Sequence, residues 1–420
     1  MPVQSGLGSA RVSRALVGVS PACKPRAGTH HGVGRTGRSK PSAGRRGHSN
    51  RDGRAPLFDC IVPAKSAQDN ASNRLIRMMS PLTWDTLDWN ALDRLRDTFL
   101  AGVTPGVSYW TSPSDLANYD FTFAQRIGWK WDAVLRELQE RRWNPSAATV
   151  LDWGCGSGIA GRRVVECFGP ERFQVLRLFD RSSLATDFAV TTARLAFPGL
   201  RVESVDTSWL ASQETVGLLV ISHVLGELDE AGGQSLRRAI DRAEAVLWVE
   251  PGTHADSRTL IAMREALRDQ LVVVAPCTHQ APCGLRTPEN ERHWCHHFAP
   301  PPAGIMADSN WVRFAQRAGI DLRSLPYSFL VLERWDAFET RNAGQLPFEE
   351  GWSRIIGVPR RYKAVARILS CQTSGVRELE LQKRDLLELF KAIKDGKQEA
   401  LYRWELSGGR IKAATTWASR

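Results

Sequence analysis

Leu151-Asp152-Trp153-Gly154-Cys155-Gly156-Ser157-Gly158 joins an apolar run ending in an acidic residue to a turn with three glycines, and a helical pattern opens at Ile159. Strand, glycine turn and helix in that order open a nucleotide-binding α/β sheet, because the backbone must turn tightly there and approach a ligand closely. Gly156, Gly158 and Gly161 also have the G-x-G-x-x-G spacing of dinucleotide sites, so the glycines alone do not choose the ligand. The acidic residues around the loop bear on that choice. Asp152, two residues before Gly154, is placed to face the cationic amino-acid part of S-adenosylmethionine. Asp180, ending the second apolar run, can hydrogen-bond a ribose diol, a feature dinucleotide enzymes share. Asp206, after the third run, is a candidate for the adenine amino group. Three carboxylates at successive strand ends suit a sulfonium nucleoside better than a pyrophosphate. The blander alternative is a sheet of the same type that binds nothing.

Outward from the loop, short apolar runs at 149–153, 174–179, 202–205, 218–222 and 245–249 alternate with helical patterns, which predicts a parallel, doubly wound sheet. Runs at 271–274 and 327–332 predict the late pair that closes a Rossmann-like class I S-adenosylmethionine-dependent methyltransferase sheet, so this domain is expected over 146–335. Its ligand belongs at the carboxyl ends of the strands. A helical lead-in is expected over 75–145. Ser80 and Thr83 offer N-caps, and Trp84, Leu87, Ala91, Leu95 and Phe99 recur at helical spacing. After a Pro/Gly/Ser-rich break, Phe123, Ile127, Val134, Leu135 and Leu138 mark a second helix, ended by Asn144-Pro145. Residues 352–420 read as a small basic unit, with a hairpin formed by 367–371 and 376–381 around Ser374-Gly375.

The net charge of +11 is unevenly placed. Residues 1–54 hold eleven basic residues against Asp52 alone, and residues 354–420 hold fifteen basic against seven acidic, which leaves the body between them acidic. Residues 1–70 have too little apolar surface to fold and are expected to be a disordered basic tail, either a mitochondrial presequence or the product of a start upstream of Met78 or Met79. No apolar stretch approaches the roughly 18 residues a spanning helix needs, so no membrane passage is expected. A bacterial cytoplasmic location is expected first, with the mitochondrial matrix as the alternative.

Cys277, Cys283 and Cys295 crowd one Pro-rich stretch, 275–298. Thiolates are soft ligands, and tetrathiolate centres select zinc or iron–sulfur clusters. The fourth ligand is either Cys371, on the expected hairpin, or a histidine among His279, His293, His296 and His297 completing a Cys₃His zinc site. Cys155 and Cys167 read as packing residues. His223, just past the fourth strand, is a candidate acceptor-side base, its alternative being a structural histidine; Glu227 follows one helical turn later. Glu250 either lines the same cleft or caps the helix near Thr253. Most of the fifteen tryptophans read as core, whereas Arg360-Arg361-Tyr362-Lys363 is either an RNA contact or a solvated face.

Residues 151–158, the segment Ser222-His223-Val224-Leu225-Gly226-Glu227-Leu228, the segment Val249-Glu250-Pro251-Gly252-Thr253, the cysteine block 276–298 and Cys371 together resemble one family. It is the small-ribosomal-subunit methyltransferase-like proteins, represented by mitochondrial methyltransferase-like protein 17, the yeast mitochondrial small-subunit protein and their bacterial relatives. The resemblance spans about residues 75 to 385. It implies a 4Fe-4S cluster on Cys277, Cys283, Cys295 and Cys371, with zinc as the alternative. It also implies binding to the small ribosomal subunit and its rRNA, and a role in ribosome assembly or translation. Members are expected to be monomeric off the ribosome, and either methyl transfer or a non-catalytic assembly role fits the pattern.

Overall fold

Residues 82–102, 107–342 and 350–417 are described by the computed structural model. The expected tail 1–70, Ser80 and the alternative starts Met78 and Met79 lie outside the described residues. Three helices come first: α1 (Trp89–Ala101), α2 (Pro113–Phe121) and α3 (Phe123–Glu140). α1 begins later than the expected caps, because Asp88 takes that role and accepts from the Asn90 and Ala91 amides at 3.0 Å. Thr83 instead closes a turn with Thr86. Trp84 therefore precedes the helix and packs edge-on against Phe121 and Trp311, centroids 5.1 and 5.2 Å away. α3 is amphipathic and buries Trp131, Val134, Leu135 and Leu138.

The body follows in the order β1 (Thr149–Trp153), α4 (Ile159–Phe168), β2 (Val175–Phe179), α5 (Ser183–Ala196), β3 (Arg201–Ser204), α6 (Thr207–Leu210), β4 (Gly217–Ser222), α7 (Glu230–Asp241), β5 (Ala243–Pro251) and α8 (His254–Leu267). β6 (Leu271–Ala275), β7 (His297–Phe298), α9 (Ser309–Ala318), β8 (Pro326–Arg334) and α10 (Trp335–Asn342) complete it. The sheet runs β3-β2-β1-β4-β5-β8-β6, with β7 paired to β8. β1 to β5 are parallel, and β8 runs antiparallel between β5 and β6. This is the class I methyltransferase order. Apolar layers cover both faces, one including Leu176, Leu178, Leu218 and Val220, the other Leu151, Leu219, Ile221 and Trp248. Strands buried on both faces are continuous apolar runs, which is why the sequence displays them so plainly. The strand order reverses between β1 and β4, and the crevice at their carboxyl ends is the ligand position of such sheets.

The C-terminal unit comprises β9 (Trp352–Ile355), β10 (Arg360–Arg361), β11 (Val365–Gln372), β12 (Gly375–Gln382), α11 (Leu387–Lys394), β13 (Leu401–Ser407) and β14 (Arg410–Thr416). β11 and β12 are the expected hairpin, with Cys371 opposite Val376. Beyond the hairpin, β9 pairs with both β11 and β13, so the strands close in the order β9-β11-β12-β14-β13-β9. β12 and β14 are parallel and the other pairs antiparallel, with α11 between β12 and β13 in the chain. That closure, its one parallel pair and the position of its helix are those of an OB barrel. Ala366, Ile368, Leu379, Leu381, Phe390, Tyr402 and Ile411 fill its interior. Among the described residues, no helix is long and apolar enough to cross a membrane.

Candidate functional site

A cleft of about 780 Å³ opens at the carboxyl ends of β1, β2 and β4, walled by the glycine loop, Asp180, His223 and Glu227 and by Tyr109, Tyr119 and Lys130 from the N-terminal helical region. The loop is tied down where it leaves β1, since the Gly154 and Cys155 amides both donate to the Phe179 carbonyl, at 2.8 and 2.9 Å. Gly154, Gly156 and Gly158 all have positive φ. At Gly156 a Cβ would meet nothing within 4 Å, so the backbone there is open to the cleft and only its left-handed φ of 52° demands glycine.

The three expected carboxylates diverge. Asp180 lines the cleft and accepts from the Gly156 and Ser182 amides, each at 2.9 Å. Burial raises its carboxyl pKa despite those bonds. Asp152, expected to face the cofactor's amino-acid end, lies beneath the loop, outside the cleft wall and fully buried. There it accepts from the Gly161 amide at 2.9 Å, and desolvation pushes its carboxyl up to about 7. Asp206, expected at the adenine, is exposed and caps α6, accepting from the Ser208 hydroxyl at 2.6 Å and the Trp209 amide at 2.9 Å. Its neighbour Thr207 lines the cleft instead. A short aspartate beside a helix start satisfies the free amides there more readily than it reaches outward.

On the other wall, His223 holds a left-handed φ of 56°. Such a conformation in a non-glycine residue persists only where the surroundings enforce it. Its Nε2 lies 3.2 Å from Lys130 Nζ and its Nδ1 3.2 Å from Ser222 Oγ, which accepts from Trp131 Nε1 at 3.0 Å. Burial pushes Lys130 down to about 7 and His223 well below the usual histidine range. Lys130 carried no signal in the sequence: on α3 it is one more polar residue of an amphipathic helix, and its partner is 93 positions away. Glu227 accepts from Tyr109 Oη at 3.3 Å and Arg181 Nη2 at 3.2 Å. Glu250 lines the cleft but does not cap α8, whose N-cap is Thr253. It braces the turn after β4, accepting from Trp248 Nε1 at 2.7 Å and the Val224 amide at 3.1 Å, and burial raises it to about 8.

A second, smaller cavity is lined by Cys277, Cys283, Cys295 and Cys371 together with Arg264 and Arg354. Arg264 donates from Nε to Cys277 Sγ at 3.3 Å and from Nη2 to the His279 and Ala281 carbonyls. Burial raises the thiol pKa values of Cys283, Cys295 and Cys371, Cys283 to about 11, and the neighbouring cysteines add to each shift. Of the histidines, His279 Nε2 lies 3.6 Å from Cys371 Sγ and His297 Nε2 3.7 Å from Cys295 Sγ, whereas His296 stacks on Trp294 and His293 contacts Arg292. Among the described residues no three His, Cys, Asp or Glu side chains converge closely enough to hold a single metal ion. The four cysteines line this one cavity together.

Solved structures with similarity to the chain include magnesium protoporphyrin IX methyltransferase from Synechocystis, 10% identical over 63% of this chain and 99% of that one, with a TM-score of 0.32. An S-adenosylmethionine-dependent methyltransferase from Thiobacillus denitrificans is 16% identical over 48% of this chain and 90% of its own, with a TM-score of 0.29. No curated protein matches. A family model described as mitochondrial small ribosomal subunit Rsm22 matches residues 123–400, which span α3, the whole sheet, the four cysteines and most of the barrel. With well over half of its length matched, the chain belongs to the mitochondrial small ribosomal subunit Rsm22 family.

Proposed function

We propose that this protein binds S-adenosylmethionine in the β1/β4 cleft, works on the small ribosomal subunit as an rRNA-directed methyltransferase, and carries a 4Fe-4S cluster on Cys277, Cys283, Cys295 and Cys371. The observation that carries the first part is the cleft itself: a glycine loop open at Gly156, with Asp180 beside it, at the switch point of a methyltransferase-ordered sheet. S-adenosylmethionine supplies an electrophilic methyl group, so the protein's task is mainly alignment. The loop amides and Asp180 hold the nucleoside end. His223 and Lys130 face the acceptor side, where a neutral imidazole beside an amine of pKa about 7 can take the proton an amino or hydroxyl acceptor gives up.

For the cluster, support comes from four cysteines around one cavity, Cys283 and Cys371 buried and Cys277 and Cys295 half-buried, and from Arg264, whose Nε points at a cysteine sulfur and would offset thiolate charge. The family description agrees with the mitochondrial alternative. Off the ribosome the protein is proposed to be a monomer.

A non-catalytic assembly factor is the second reading. It is favoured by the absence of Asp152 and Asp206 from the cleft wall. Calorimetric titration with S-adenosylmethionine, paired with labelled methyl transfer to small-subunit assembly intermediates, decides between them. The methyltransferase reading expects saturable binding, weakened at least about tenfold in Asp180→Ala, a loss in keeping with a charge-assisted contact. It also expects label in rRNA. No heat at millimolar cofactor would sink the cofactor assignment, and binding without label in any intermediate would select the assembly factor.

A further inference from the structure

OB barrels bind oligonucleotides on the outer face of their second and third strands, here β11 and β12, and on the adjoining loops. In this chain that face is already occupied. Leu369, Cys371 and Val376 pack into one cluster with Cys283 and Leu285. Nearer the other end, Glu378 pairs with Arg360 and Arg367, and Glu380 with Arg410. A polyanion arriving there would meet a protein wall and arginines already paired with carboxylates.

The unspent charge lies on the adjacent edge. The segment 356–364, which includes the short strand β10, and the turn after β12 run side by side, with the Lys383 amide donating to the Ala364 carbonyl at 2.9 Å. Together they present Arg361, Lys363, Lys383 and Arg384, all exposed and, among the described residues, none in an ion pair. Between the first two stands Tyr362, 57% exposed, on a turn closed by its own amide donating to the Val365 carbonyl at 2.8 Å. An aromatic ring held out of the core amid unpaired cations is the combination that grips unpaired nucleic acid, the cations on phosphates and the ring on a base. A duplex keeps its bases stacked and offers such a ring no face.

We infer that this loop edge of the barrel is a binding site for single-stranded RNA, displaced from the usual OB face because that face holds Cys371 against the cysteine loop. The inference rests on the rRNA-directed reading for its biological setting, but its geometry and its test do not depend on methyl transfer.

The test is fluorescence anisotropy of the full chain with a labelled oligouridine of roughly 16 nucleotides across a salt series. Arg361→Ala/Lys363→Ala/Lys383→Ala/Arg384→Ala is expected to weaken binding at least about tenfold and to flatten the log–log salt slope by about 0.7 per cation removed. Tyr362→Ala is expected to weaken it about fivefold or more with the slope unchanged, as loss of one stacking contact should. Lys394→Ala/Lys397→Ala, two cations removed at the end of α11, should stay within about twofold and flatten the slope by far less than the pair Arg361→Ala/Lys363→Ala, which removes as much charge. A 4-thiouridine probe should crosslink within 361–384. Unchanged thermal midpoints and S-adenosylmethionine titrations certify the variants as folded. A quadruple variant that binds like the wild type overturns the inference, as do crosslinks confined to 1–54 or equal affinity for an RNA duplex. If the wild type also associates with small-subunit particles, those results sink the inference alone; oligonucleotide binding at this edge without such association sinks the ribosomal reading alone.

Discussion

Asp152 carries a carboxyl group that is fully buried, accepts one amide hydrogen bond and leaves its other oxygen unpartnered. Desolvation outweighs the Gly161 bond, and the group sits at about 7. That lies above the roughly 3.9 of an unfolded aspartate, so folding takes up a proton; the group's contribution is fully present below about pH 4 and is lost as pH rises through about 7. Asp152→Asn keeps an acceptor for the Gly161 amide and removes the charge. The variant is expected to match the wild type in thermal midpoint near pH 4 and to exceed it by a margin that grows as the pH is raised to 8, where the gain is about 1 kcal/mol or more. A variant less stable at both pH values would show that the carboxylate is held ionised by something other than the Gly161 amide.

The hairpin β11–β12 brings its own backbone against the cysteine loop. A Cβ on Gly284 would stand 2.6 Å from the Val376 nitrogen and 2.8 Å from Gly375 Cα, both backbone atoms that cannot swing aside. Glycine at 284 is thus what lets Cys371 approach Cys283. Gly284→Val is expected to separate the hairpin from the loop and to lower iron after anaerobic purification from about four per chain to below one, as Cys371→Ser should also do by removing one of the four proposed ligands. S-adenosylmethionine binding, in the other cleft, should be unaffected. A variant that retains full iron and sulfide would refute the clamp, and wild-type protein holding one zinc and no sulfide would refute the cluster itself.

Across the molecule, Glu137 joins three parts that are far apart in the chain. It accepts from Arg354 Nη1 and Nη2 at 2.6 and 2.8 Å, and from Arg141, which caps the end of its own helix, at 2.5 Å. The two arginines in turn reach the Pro276 carbonyl, at 3.2 and 3.1 Å, and Arg141 also reaches that of Val274. α3, β9 and the start of the cysteine loop are thereby fastened through one buried carboxylate. The two guanidinium groups hold its pKa far below the usual carboxylate range even though burial alone would raise it. Glu137→Gln strands two buried cations and is expected to cost about 3 to 5 kcal/mol in urea denaturation at pH 7. Because the folded pKa is depressed, the wild-type advantage is fully present above roughly pH 4.3 and shrinks as pH falls towards the folded value. A gap that stayed constant down to acid would rule out the charge as its source.

The sequence by itself determined the sheet, the glycine loop and the crowding of Cys277, Cys283 and Cys295. Each of these is local: a strand buried on both faces is a continuous apolar run, and a tight turn needs glycine wherever it occurs. Tertiary structure alone decided what depends on distant partners. Cys371 reaches His279 across 92 positions and Lys130 meets His223 across 93. The barrel closes only because Trp352–Ile355 pairs with two strands at once. Asp152 and Asp206, like Asp180 acidic residues at strand ends, were turned to bracing and capping by the nearest free amides. Residue spacing records which faces must be buried, but which buried groups then meet is settled by how the layers close over one another.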